Sequence, residues 1–75
     1  MPFYKWMIQN HIGDNNMIGA VARLMEANKH MFRSTRSYTK SRVFLERLTS
    51  RQEYFDAFDQ AWGEYRQYQL QDSNA

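Results

Sequence analysis

The chain of 75 residues contains no cysteine, one proline and three glycines. Without cysteine there is no disulfide framework, no thiolate metal site and no thiol nucleophile. So few glycines and prolines do not supply the turns of an all-β domain, which excludes that class. Long apolar runs are missing too. The longest nearly continuous one, Met17-Ile18-Gly19-Ala20-Val21-Ala22, falls far short of the ~20 residues that cross a bilayer. The opening Met-Pro-Phe-Tyr-Lys-Trp carries no apolar signal core and no glycine for myristoylation. These absences lead to the expectation of a soluble, cytoplasmic protein of one domain, with no membrane contact.

What the chain does have is rings: five Phe, five Tyr and two Trp within an apolar fraction of 43%. That is too aromatic for a disordered chain, although the mean hydropathy is only −0.83. A domain of this size buries only about 60% of its unfolded surface. Each ring can bury roughly 150–250 Å², so the aromatics supply the core that few aliphatics could. A small, marginally stable globule is expected.

Apolar spacing makes it helical. Phe3, Trp6 and Met7 predict a short helix from about Pro2, tolerated in a first turn, to Gln9. Asn10 to Asp14 read as a loop, with Asp14 or Asn15 as cap of the next helix. That helix carries Met17, Ile18, Ala20, Val21, Ala22, Leu24 and Met25, the most enclosed pattern in the chain, and fades near Asn28. Lys29 to Ser37 hold no period and read as a connector anchored by Phe32. A third helix begins at Ser37 or Thr39 and carries Val43, Phe44, Leu45 and Leu48. Ser50 and Glu53 match a capping box before the last helix. Tyr54, Phe58, Ala61, Tyr65 and Tyr68, widened by Phe55 and Trp62, predict that helix from about Arg51 to Gln69. The domain then spans 1–70, with a frayed tail over 71–75. The expected core is Phe3, Trp6, Val21, Phe32, Phe44, Leu48, Phe58, Trp62 and Tyr65, with Phe58 and Trp62 at its centre. Gly63 interrupts the last helix, at a surface position or at a close approach to a neighbour.

The aromatic positions carry a resemblance. Phe58-Asp59-Gln60-Ala61-Trp62-Gly63-Glu64-Tyr65 resembles the C-terminal F-D-x-A-W-x-x-Y signature of the YozE SAM-like family of small bacterial proteins. Phe3-Tyr4-Lys5-Trp6 resembles its opening, and Phe32, Tyr38 and Phe44-Leu45-Glu46 its middle landmarks. The resemblance implies an all-α fold, a compact four- or five-helix SAM-like bundle, and no activity. The chain departs from the family around Phe32. Asn28-Lys29-His30 precede it where acidic residues are common, and Arg33 follows where a proline is common. The second helix region is also longer by a few residues.

A catalytic reading lacks parts. His11 and His30 both fall in predicted loops, and no His-x-x-x-His pair, nucleophile elbow or phosphate-cradling glycine loop occurs. Asp56 and Asp59 share a helix flank, yet nothing accompanies them as base or metal ligand, and they read as solvated charges. Asp59, from the resembling motif, reads as a structural hydrogen-bonding group near Trp62. The expectation is a protein that is not an enzyme and takes no metal, cofactor or small-molecule substrate.

Charge is distributed unevenly beneath the net +2. Residues 1–28 balance. Residues 29–51 hold Lys29, Arg33, Arg36, Lys40, Arg42, Arg47 and Arg51 against Glu46 alone, a net of +6. Residues 52–75 hold Glu53, Asp56, Asp59, Glu64 and Asp72 against Arg66, a net of −4. Arg33, Arg36, Lys40, Arg47 and Arg51, with Ser34, Ser37 and Ser41, suit phosphates or an acidic partner. Asp56 and Glu64 suit a basic partner, with Tyr68, Arg36 or Arg66 as anchor. A plain solvated surface also accounts for such a pattern. Contact between copies is a third account, since both faces occur on one chain. Two functions therefore stand open. One is a protein-binding adaptor or inhibitor, self-associating or acting on a host protein, as small phage or mobile-element proteins do. The other is a nucleic-acid-associated accessory protein using residues 29–51. Protein binding comes first, because a dedicated DNA binder of this size is usually more basic overall.

Overall fold

Pro2, extended at φ −63° and ψ 151°, leads into α1 (Phe3–His11), and its carbonyl accepts from the Trp6 N–H at 3.0 Å. The computed structural model describes residues 1–73, with four further helices and no strand among them. α1 runs two residues beyond Gln9, so His11 closes a helix instead of lying in a loop.

Asn16, and not Asp14 or Asn15, caps α2 (Met17–Ala27), its Oδ1 accepting from the Gly19 N–H at 2.9 Å. Asp14 is engaged elsewhere. Its carboxylate meets His11 Nδ1 at 2.6 Å, and its carbonyl accepts from Arg23 Nη1 at 2.9 Å. That carbonyl presses on the first turn of α2, where a Cβ on Gly19 would stand only 1.9 Å from its oxygen. The α1–α2 loop thus closes because residue 19 has no side chain.

The expected connector contains a single helical turn, α3 (Lys29–Phe32), too short to show a period. Phe32 is its anchor as expected, buried edge-on to Phe44 with ring centroids 5.9 Å apart. Ser37 caps α4 (Tyr38–Leu48), its Oγ accepting from the Lys40 N–H at 3.3 Å. Within α4 the core position is Leu45, with Ser41 beside it, whereas Phe44 and Leu48 are only half-buried. Val43 faces outward.

Before α5 (Gln52–Ser73), the reciprocal Ser50–Glu53 bonds of a capping box are not found among the described residues. Thr49 Oγ1 accepts from the Arg51 N–H at 3.1 Å, and the Glu53 carboxylate takes Arg51 Nε at 2.5 Å. α5 continues through Gln71 to Ser73, beyond the expected end at Gln69. The last two residues of the expected tail lie outside the described residues. Gly63 is exposed, with open space where a Cβ would stand, which is the surface reading.

α2 packs on both α1 and α5, and these two also meet each other. α3 and α4 complete the bundle, α3 against α2 and α4, and α4 against α5. Phe3, Trp6, Val21, Phe32, Phe58 and Tyr65 are buried as expected, joined by Met7, Met25 and Leu45. Trp62 is not central. Phe58, Ala61 and Tyr65 take the inward line of α5, and Trp62 lies half-buried on its flank.

Candidate functional site

Rings from α1, α4 and α5 meet at one seam. Phe3 contacts Phe58, Trp62 and Tyr65, with centroids 5.6, 4.4 and 5.3 Å away. Tyr38 brings α4 to the same seam, against Phe58 and Trp62 at 5.6 and 5.4 Å. Its hydroxyl donates to Asp59 Oδ1 at 2.5 Å and accepts from Arg42 Nη1 at 3.1 Å. Arg42 also reaches Asp59 Oδ2 at 3.3 Å and Glu46 at 3.6 Å. The bond to Tyr38 raises the guanidinium pKa, with Asp59 and Glu46 adding to it and desolvation opposing. Asp59 is therefore a structural acceptor beside Trp62. Asp56 accepts from the Gln52 amide at 3.0 Å.

His11 likewise serves the fold. Nδ1 faces Asp14 at 2.6 Å and Nε2 faces Glu64 at 3.0 Å, so the ring bridges α1 to α5 across the edge of Trp6. His30 is exposed on α3. Among the described residues no group of three or more metal-ligating side chains gathers. No described helix is long and apolar enough to cross a membrane.

The cations of residues 29–51 divide into two sets. Arg42 is neutralised by Asp59 and Glu46, and Arg51 by Glu53 while lying over the Tyr54 ring. Arg36 and Lys40 instead line an open cleft of about 530 Å³ with Ser34, Thr35, Ser37 and Phe44. Arg47 lies over the Phe44 ring, 5.9 Å from its centroid, so Lys40 and Arg47 flank that ring along α4. Arg33 is exposed at the end of α3 but does not line the cleft, and Ser41 is buried instead of offering a donor there.

A second depression, about 390 Å³, runs between the start of α2 and the first half of α5. Ile18 and Ala57 contribute apolar surface, Met17 stands at its side 37% exposed, and Glu53 and Asp56 supply acid. Asp56 belongs to this groove. Glu64 does not, being held by His11. The groove escapes sequence reading because Met17 fits an apolar helix stripe, and nothing in the local pattern tells that it stays exposed.

Comparison with protein families matches residues 2–67 to the YozE SAM-like fold. The chain belongs to the YozE SAM-like family. No curated protein and no solved structure matches it. Most of the residues on which the YozE SAM-like resemblance rests meet in the α1–α4–α5 seam just described. Phe3, Trp6, Phe58 and Tyr65 fill it, and Tyr38 with Asp59 closes its edge. These rings hold the fold together, whereas Arg36, Lys40, Met17 and Asp56 lie on the two surfaces.

Proposed function

We propose that the protein is a non-enzymatic binding module that docks a basic segment of another protein in the α2–α5 groove. The observation that carries this reading is Met17, a large apolar side chain left 37% exposed beside Ile18 and Ala57, with carboxylates next to it. Methionine adapts its shape to an incoming apolar side chain. Asp56 has no ion-pair partner among the described residues, only the Gln52 amide, and is available to a cation. Glu53, Asp59 and Glu64 are engaged by Arg51, Arg42 and His11, so Asp56 is the carboxylate of the groove that would attract a positive partner, in an encounter that weakens with salt. An apolar anchor beside Met17 would then supply affinity that charge alone does not.

Calorimetry with a synthetic amphipathic peptide of lysine and leucine tests this. Binding is expected at low salt, with loss of affinity in both Asp56→Lys and Met17→Ser. Equal affinity in the wild type and Asp56→Lys would reject the groove. Light scattering at low salt adds the remaining distinction: a dimer abolished by Asp56→Lys would make the basic partner a second copy of this chain.

A further inference from the structure

We propose that the cleft formed by the α3–α4 loop and α4 binds single-stranded nucleic acid, with backbone phosphates at Arg36 and Lys40 and a base at Phe44. This surface is separate from the α2–α5 groove and does not depend on that reading. Three observations converge on it. First, the cleft of about 530 Å³ is lined by two cations, three hydroxyl residues and one ring, with no carboxylate among them. Second, neither Arg36 nor Lys40 has an ion-pair partner among the described residues, although Arg42 and Arg51 nearby in sequence do. A phosphate is thus offered charge that the protein has not already used, and the exposed Ser34 hydroxyl adds a donor. Third, Phe44 is half-buried in the cleft with the Arg47 guanidinium over it. With the guanidinium over the ring, an unstacked base of any kind stacks on the guanidinium plane or takes its place on the ring.

The ring also selects the strand type. In a duplex the base faces are stacked on one another, leaving nothing for Phe44 to contact, whereas a single strand can turn a base out. Arg36 further lines a smaller pocket of about 210 Å³ with Met1, Pro2, Tyr65 and Gln69. The two depressions adjoin at its side chain and give a strand a path past a single base. An acidic protein segment would use Arg36 and Lys40 but has no need of the ring, and this separates the two ligands.

Fluorescence anisotropy of a labelled oligothymidylate, across a salt series, tests the proposal on the full chain. Binding should weaken with salt, and the log–log slope should flatten by about 0.7 for each cation removed in Arg36→Gln and Lys40→Gln. Phe44→Leu should weaken binding about fivefold or more with the slope unchanged. A duplex of the same sequence should bind more weakly. Both cations are exposed, so their variants should fold, and a thermal melt checks Phe44→Leu. No binding at low salt, or an unchanged slope in the Arg36→Gln/Lys40→Gln double variant, would overturn the proposal. So would polyglutamate binding as tightly as the oligonucleotide with Phe44→Leu neutral, which would assign the cleft to acidic proteins.

Discussion

Gly19 and Gly63 are the same residue under opposite constraints. A methyl group on Gly19 would collide with the Asp14 carbonyl, a backbone atom pinned by Arg23. Gly19→Ala must move the loop, and overpacking of this kind costs about 1–3 kcal/mol. Gly63 is exposed on a long helix with open space around it, so Gly63→Ala should stabilise by up to about 1 kcal/mol. Thermal or urea unfolding of the two variants should shift in opposite directions. Tyr65 gives a pH dependence at the same scale. Burial pushes its phenol pKa above the ordinary value, with Tyr68 adding to the rise and Arg36 opposing it. The folded state therefore holds this proton more tightly than the unfolded chain. Its contribution is complete below the unfolded value of about 10 and is lost as pH climbs through the folded one. The hydroxyl also donates to the Met1 carbonyl and accepts from Gln69 Nε2 at 3.1 Å. Melting temperatures taken through this alkaline range should fall more steeply for the wild type than for Tyr65→Phe.

Among elements, α4 depends most on a few contacts with α5. It buries only Ser41 and Leu45, and its hold comes from Tyr38 at its first turn. Tyr38→Phe keeps the ring on Phe58 and Trp62 but removes the bond to Asp59. A loss of about 1 kcal/mol is expected in denaturant unfolding. The same elements show what the sequence could disclose. α5 was readable because Phe58, Ala61 and Tyr65 repeat at helical spacing over several turns, and the resembling signature sits on that stripe. α3 was not, since one turn has no repeat. Local sequence does not single out the α2 cap, because Asp14, Asn15 and Asn16 are all competent, and the choice falls to Asn16 once His11 and Arg23 engage Asp14. Ser50 and Glu53 failed as a capping box for a related reason: Arg51 takes the Glu53 carboxylate. Cations were visible as a run, but which remain unpaired depends on where the acids of α5 fall. Local sequence does not contain that information.

At the scale of the molecule, the aromatic seam and the two surfaces are separate. Phe58 is fully buried where α1, α4 and α5 meet, so Phe58→Ala should cost about 3–5 kcal/mol, most of the stability of a domain this small. Changes at Asp56 or Lys40 should leave the melting temperature nearly unchanged, since both are exposed and neither has an ion-pair partner among the described residues. Binding and folding can then be perturbed independently. The central claim, a groove between α2 and α5 that takes a basic segment, is tested most directly by mapping amide shifts by NMR. The lysine–leucine peptide would be titrated into the labelled protein at low salt. The account predicts shifts gathered at residues 16–18 and 53–60 and abolished by Asp56→Lys. Shifts spread evenly over the acidic surface of α5, or unchanged in Asp56→Lys, would contradict it.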